Sequence, residues 1–257
     1  MEGYGRVLLL LSTFCFLVGF VYAFLTLRSD NAARSRMTLV FMGGGFLLQG
    51  GFLYLRGQQL GRCPITNVPE LLAFLSWAVV LYYFVVGPAF RLSLLGVFSY
   101  PLVIVLQLVA VIFMPPPTEG IADFWRELHA ALALLAYGGF AMAGIAGVMF
   151  LVQHRHLKRK SLGGLFYRLP PIEHLAQTIV RLMIFGFVLL TVGIACAYKM
   201  EESPSGAKLV LAYAVWAVYA VVLIVQQVRG LSSLRLAEVA VGAFVFQLLT
   251  LSLMGAG

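Results

Sequence analysis

The chain of 257 residues is 61% hydrophobic and only 11% charged. Soluble domains carry charged side chains at about 25% of their positions, so this composition excludes an ordinary soluble globular protein and indicates a membrane protein. The formal net charge of +8 is compatible either with a nucleic-acid partner or with basic loops at a membrane surface. The positions of the basic residues decide between these two explanations.

Apolar runs long enough to cross a bilayer recur along the whole sequence. A helix needs about 20 mostly apolar residues to span about 30 Å of hydrocarbon. Eight such runs predict an all-α, polytopic membrane protein, with residues 1–257 forming a single integral membrane domain. The first run lacks a small-residue cleavage site after it, which favours a retained helix over a removable signal peptide. The predicted spans are about 6–27, 37–55, 68–87, 92–114, 127–152, 175–198, 208–228 and 235–255.

Basic residues gather in alternate loops between the predicted spans. Cytoplasmic loops of membrane proteins are enriched in Lys and Arg. We therefore predict that these loops face the cytoplasm, that both termini lie outside, and that the protein is integral to the cytoplasmic (inner) membrane. The same bias explains the net charge, so no nucleic-acid partner is expected. These loops hold eleven of the eighteen basic residues: Arg28, Arg34, Arg36, Arg91, Arg155, Lys158, Arg159, Lys160, Arg168, Arg229 and Arg235.

His129 is the histidine best placed to bind a ligand, because it lies at the predicted outer end of the fifth span. The other three, His154, His156 and His174, lie in or beside the basic cytoplasmic segment and are expected to be solvated or interfacial. An imidazole at a helix end can ligate haem iron from one axial side. It can equally be a helix-end histidine that bonds to water or to a neighbouring carboxylate.

Small residues follow His129 on the same helical face, at steps of three and four. Such a face lets a flat ligand approach closely, or it lets another helix pack closely. The spacing alone favours helix packing. The residues of this face are Ala133, Ala136, Phe140, Ala143 and Gly147.

No catalytic motif is present: no nucleophile stands beside a general base, and no HExxH or phosphate-binding glycine loop occurs. Intramembrane polar residues are few. Gln49, Gln226 and Gln227 are expected to form interhelical hydrogen bonds. Arg181, about two turns inside the sixth span, should snorkel toward the cytoplasm or face protein, a lipid headgroup or a ligand carboxylate.

Three segments follow one another in a recognisable order: the first begins GRCPITNVPELLAF, the second begins HAALALLAYGGF at His129, and the third is LPPIEHLAQTIVRLMIFGFVLLTVGI. Together they resemble the cytochrome c assembly membrane protein family of CcsA-like and HemX-like proteins. The resemblance covers roughly residues 40–230. Full-length members handle haem on the outer side of the membrane, with a tryptophan-rich WGxxWxWD loop flanked by outer histidines. The turn GRCPITNVPE then corresponds to the family's outer turn, in which Asn67 and Glu70 would cap and orient the third helix.

The resemblance implies that His129 matches the first outer histidine and is a candidate axial ligand of haem. The tryptophan-rich loop would follow TVGI, where this chain reads ACAYKMEESPSGAK. Gln49 stands where the family has a histidine in the second span. A second axial ligand would come from a partner, from Met114, from Met200, or from no side chain at all. These features are typical of the HemX-like branch, whose members are accessory proteins rather than haem-attaching synthases.

Three functions follow as hypotheses. The first is a membrane accessory protein of cytochrome c biogenesis that handles haem on the outer face, in complex with a membrane or extracytoplasmic protein partner. The second is a non-haem scaffold subunit of a larger complex. The third is a small-solute transporter that uses the small-residue face and Arg181.

Overall fold

The computed structural model describes residues 2–25, 32–86, 92–118, 122–158, 172–200 and 206–255. These residues form eight α-helices and no β-strand. All eight helices are long and apolar enough to cross a membrane, which confirms the predicted all-α polytopic fold and implies contact with membrane lipid. The helices are α1 (Glu2–Leu25), α2 (Ala32–Leu60), α3 (Val68–Val86), α4 (Leu92–Phe113), α5 (Phe124–Lys158), α6 (Ile172–Ala197), α7 (Gly206–Arg229) and α8 (Ser233–Gly255).

Two helices extend clearly beyond their predicted spans. α2 continues to Leu60 rather than stopping near residue 55. It can do so because the charge of Arg56 is compensated by an ion pair with Glu70 within the protein. Gly61, with a φ of 66°, then ends the helix. α5 has 35 residues, or about 52 Å at 1.5 Å per residue, which exceeds the roughly 30 Å of a hydrocarbon core. Its polar C-terminal turn therefore extends past the apolar part of the bilayer.

The first compact unit contains α1 to α4. Its core includes one buried residue from each helix: Leu9, Phe52, Ala73 and Ala110. Because these residues meet near the start of α1 and α3 and the end of α2 and α4, those four helix ends lie at one face of the unit. The turn of residues 61–67 is at the same face.

The second compact unit contains α5 to α8. Its central helix is α5, which packs against α6 and α8 and is almost continuously buried between Leu134 and Phe150. Phe140 stacks on Tyr219 of α7 with ring centroids 3.5 Å apart. The small and aromatic residues of α5 are therefore buried in close contacts with the neighbouring helices.

Part of the charge pattern that predicts the orientation falls outside the described residues. The orientation, with both termini outside, accordingly stays a prediction. The basic and acidic residues concerned are Arg28, Arg91, Glu119, Arg159, Lys160, Arg168, Glu201 and Glu202.

Candidate functional site

The start of α5 is held by a side-chain cap. Asp123 precedes the helix, and its Oδ1 accepts hydrogen bonds from the backbone N–H groups of Trp125 at 3.0 Å and Arg126 at 3.3 Å. Aspartate is a favoured N-cap because its carboxylate satisfies N–H groups that have no partner in the first turn. The cap fixes where α5 begins, and so fixes the position of His129 in its second turn.

His129 is bonded to the neighbouring helix α6. Its Nδ1 lies 2.7 Å from the carbonyl oxygen of Gly193. A carbonyl oxygen can only accept, so Nδ1 carries the proton and donates. In the neutral imidazole Nε2 then holds a lone pair, and Nε2 makes no hydrogen bond to the described residues. A histidine held in this way is oriented for ligation of a metal through Nε2.

Gly193 is suited to this contact because α5 and α6 approach closely there. A Cβ atom at position 193 would lie 3.4 Å from Leu132 Cβ and 3.5 Å from Ala133 N. The absence of a side chain at Gly193 thus leaves room for the first turns of α5. The same approach brings the His129 ring to the Gly193 carbonyl group.

An aromatic ring and a cation lie near His129. Trp125 is one helical turn before His129, and the Nζ of Lys199 is 4.5 Å from the centroid of the Trp125 ring. Lys199 belongs to the turn that follows α6. This cation–π pair was not predicted from the sequence, although the aromatic pair of Phe124 and Trp125 just before His129 was a signal that could have been used.

The small-residue face below His129 is occupied by other helices. A Cβ atom at Gly186 of α6 would lie 2.7 Å from Phe140 Cε1, and one at Gly147 would lie 3.0 Å from the carbonyl oxygen of Ala237 on α8. Ala136 is fully buried. Of the two interpretations of this face, helix packing is therefore the one that the structure supports, and a flat ligand cannot lie along it.

Gln49 lies in the first unit, where it joins α2 to α3. Its side chain is fully buried, and its Nε2 donates to the carbonyl oxygen of Ala73 at 2.7 Å and to Ser76 Oγ. Its Oε1 has no hydrogen-bond partner within the described ranges. The expected interhelical hydrogen bond of Gln49 is thus present. Gln226, by contrast, accepts from the backbone N–H of Leu231 and stabilises the turn after α7 rather than a helix pair.

The two methionines considered as second ligands both follow helix ends. Met114 comes directly after α4 and lines a cavity of the first unit. Met200 comes after α6, and its backbone N–H donates to the carbonyl oxygen of Ala197 at 3.4 Å. Their role as ligands stays a prediction. Within the described residues, no three His, Cys, Asp or Glu side chains converge as a metal site.

A buried ion pair at the turn before α3 was missed in the sequence. Arg56 Nε donates to Glu70 Oε1 at 2.9 Å, and the two side chains are 6% and 0% exposed. Arg56 Nη2 donates to the carbonyl oxygen of Pro115 at 2.8 Å. The available signal was an arginine and a glutamate of opposite charge on two helices joined by a turn of only seven residues.

The same turn caps α3 as the sequence led us to expect. Asn67 Oδ1 accepts from the backbone N–H of Glu70 at 3.0 Å. Glu70 Oε2 accepts in return from the backbone N–H of Thr66 at 2.9 Å and from its hydroxyl group at 2.7 Å. The arrangement is a variant of the capping box, in which an N-cap residue and the residue three positions later exchange hydrogen bonds.

Comparison with known proteins places this chain among membrane proteins of one family. Residues 65–255 match the family described as "Cytochrome C assembly protein". The chain is 26% identical over 206 residues to Protein HemX of Brevibacillus brevis, covering 78% of this chain and 75% of the relative. It is 24% identical over 194 residues to Protein HemX of Bacillus subtilis (strain 168), covering 71% and 70% of the two chains. It is 23% identical over 239 residues to Cytochrome c biogenesis protein CcsA of Chlamydomonas reinhardtii, covering 85% and 66%.

Proposed function

Because the chain belongs to the cytochrome c assembly protein family, we propose that it is an accessory protein of cytochrome c biogenesis that handles haem. It works in the cytoplasmic (inner) membrane, at the outer face, where α5 begins. Its partner is a membrane or extracytoplasmic protein of cytochrome c maturation. The multi-pass helical fold and the family membership support this proposal.

The observation that carries the proposal is the hydrogen bond from His129 Nδ1 to the Gly193 carbonyl oxygen. It leaves the Nε2 lone pair available, which is the state that an axial haem ligand requires. Haem, when bound, would supply an iron with axial positions for such a nitrogen. The bond to Gly193 would then orient the imidazole for the iron.

Trp125 and Lys199 fit the same interpretation. An indole ring beside the ligating imidazole offers an apolar surface to a porphyrin, and a lysine ammonium group is a natural partner for its propionate groups. The two side chains already contact one another at the helix ends. We assign no ligand role to Gln49, although the family has a histidine there, because its amide is bonded to α3 and fully buried.

The second ligand of the iron has two candidate sources. Met200 is the candidate in the second unit, and a histidine or methionine of the protein partner is the alternative. A partner-supplied ligand would be consistent with a protein that shares haem with its partner, since each of the two proteins would then hold the iron through one side chain.

A second candidate function, a non-haem scaffold subunit, is favoured by one observation. The face below His129 is filled by Gly186, Ala237 and their neighbours, so the described residues leave no groove along this face of α5. A scaffold would use the same close packing without a cofactor.

The third hypothesis, a small-solute transporter, would depend on Arg181. This residue is exposed on α6.

The visible spectrum of the purified protein separates these functions. The protein is prepared in mild detergent from haem-replete cells and compared with His129→Ala and with His174→Ala, which removes an exposed histidine at the other end of the second unit. We expect a Soret band that is lost or shifted in His129→Ala and is retained in His174→Ala. Imidazole added to a His129→Gly variant should restore the band, since it supplies the missing nitrogen.

A colourless protein that also takes up no added haem would exclude haem handling and favour the scaffold. A Soret band that is unchanged in His129→Ala would keep haem but remove His129 as its ligand. The Met200→Ala variant reports on the second axial position in the same spectra.

A further inference from the structure

A cavity of about 180 Å³ opens in the first unit, at the face where α1 begins and α2 ends. The start of α1, the end of α2 and the segment after α4 form its walls. Three of its lining side chains are polar, Arg6, Arg56 and Gln59, and all three present hydrogen-bond donors. In the part of the chain that the structure describes, no carboxylate lines it; the remaining lining residues are Gly5, Phe52, Met114, Pro115, Pro116 and Pro117.

Arg56 is held in a fixed orientation in the cavity wall. Its Nε donates to Glu70 and its Nη2 to the carbonyl oxygen of Pro115, while its Nη1 makes no hydrogen bond to the described residues. The side chain is only 6% exposed. Glu70 directs its other oxygen to Thr66 and does not line the cavity. The cavity is therefore lined by Arg56, the donor of the ion pair, and not by Glu70, its acceptor.

Arg6 brings a second positive charge to the cavity. Within the described residues, Arg56 pairs with Glu70 and Arg6 pairs with no carboxylate. Two guanidinium groups and one amide thus line a small space that has no carboxylate among its described lining residues. Guanidinium groups bind phosphate and carboxylate oxygens in preference to other acceptors, through charge-assisted hydrogen bonds.

The level of the cavity along the helices indicates where the ligand comes from. Arg6 is in the second turn of α1, Arg56 is in the second-last turn of α2, and Pro115 follows the end of α4. Such helix ends lie at the boundary between hydrocarbon and headgroups, where phospholipid phosphates are found. Met114 and three consecutive prolines provide an apolar wall beside the polar groups.

We propose that this cavity binds a phosphate group, carried by the headgroup of an anionic phospholipid or present as free phosphate. The volume suits one phosphate and the first atoms of its ester, and it is well below the roughly 300–1,000 Å³ of pockets for larger organic ligands. The site is therefore separate from the haem function proposed for His129 and does not depend on it. Its role is to tie α1, α2 and the segment after α4 together at the membrane surface.

Binding is tested on the full chain after delipidation in detergent. The probes are phosphatidylglycerol, diacylglycerol as a lipid without phosphate, and sodium phosphate against sodium chloride at equal ionic strength. Retained lipid is counted by native mass spectrometry, and the thermal unfolding midpoint is followed for each probe. We expect one retained phosphatidylglycerol per chain and a raised midpoint, with no effect of diacylglycerol.

Three variants connect the binding to the cavity. Arg6→Gln removes the unpaired cation and should weaken binding about tenfold, as expected for loss of a charge-assisted hydrogen bond. Gly5→Leu fills the cavity: a Cβ atom there would have only Phe52 Cδ2, at 3.9 Å, within 4 Å. Lys208→Gln removes an exposed cation of the second unit and should leave binding unchanged. Arg56 is left intact, because its loss would also break the ion pair with Glu70.

A midpoint raised by phosphatidylglycerol alone identifies a lipid headgroup as the source, and one raised equally by sodium phosphate identifies free phosphate. The proposal is overturned if neither probe binds. It is also overturned if Arg6→Gln and Gly5→Leu, each confirmed as folded by its circular dichroism, bind as tightly as Lys208→Gln.

Discussion

Arg56 and Glu70 form an ion pair of 2.9 Å in which both side chains are almost completely withdrawn from solvent. A buried pair of this kind is costly to break, because the remaining charge keeps its desolvation penalty and loses its partner. Glu70→Gln retains an acceptor oxygen but removes the charge. We expect it to lower the free energy of unfolding by about 3–5 kcal/mol, measured by denaturation in detergent micelles.

The double variant Arg56→Met with Glu70→Met leaves no unpaired charge. Its loss of stability should therefore be smaller than the losses of the single variants Arg56→Met and Glu70→Met added together. Glu238→Gln, which neutralises an exposed carboxylate of α8, is the matched control and should change stability little. Additive effects in the double variant would argue against a coupled pair.

Asn67 provides the N-cap of α3 through its bond to the Glu70 backbone N–H. Asn67→Ala removes this acceptor, and we expect it to cost about 1 kcal/mol of stability. Asn67→Asp keeps an acceptor at the same position and should retain most of the stability. Equal losses in the two variants would mean that the cap contributes nothing.

Gly186 lies where α6 meets α5, and a Cβ atom there would come within 2.7 Å of Phe140 Cε1 and 3.0 Å of the Ala136 carbonyl oxygen. Gly186→Ala should therefore lower stability by about 1–3 kcal/mol through overpacking. Gly242→Ala is the control in the same unit, because no atom lies within 4 Å of the added methyl group. A thermal scan of the two variants is sufficient: a midpoint for Gly186→Ala at or above that of Gly242→Ala would contradict the packing described.

Gln49 donates two hydrogen bonds to α3 but leaves its own Oε1 without a described partner. Gln49→Leu removes a satisfied donor and an unsatisfied acceptor together, so we expect its effect on the free energy of unfolding to stay within about 1 kcal/mol. Gln49→Ala leaves a cavity in addition and should cost about 2 kcal/mol or more. A loss in Gln49→Leu as large as that in Gln49→Ala would contradict this expectation and would mean that the lost hydrogen bonds, not the cavity, dominate the cost.

Hydropathy was sufficient to predict the eight helices, because each described helix contains a long apolar run with few charges. It was not sufficient to predict the end of α2, because the sequence does not distinguish a charge that is paired inside the folded protein from a charge that is exposed to water. The predicted span therefore ends at about residue 55, just before Arg56 and short of the helix end at Leu60. A pairing partner 14 residues away can be recognised only once two helices are known to pack antiparallel.

The site at His129 was predictable in part. The position of the residue at a helix end and the small residues below it could be derived from spacing. The protonated ring nitrogen could not, because it depends on the Gly193 carbonyl group, which is 64 residues away and carries no side-chain signal. The cavity of Arg6 and Arg56 was unpredictable for the same reason, since its walls come from three separate parts of the first unit.

The two hydrogen bonds of Arg56 imply an order of events during synthesis of the chain. Glu70 follows Arg56 by 14 residues, whereas Pro115 follows it by 59. The hairpin of α2 and α3 contains both members of the ion pair, so their charges can neutralise each other as soon as α3 has been made. The bond to Pro115 can form only after α4 has been made, so it closes the first unit rather than starting it.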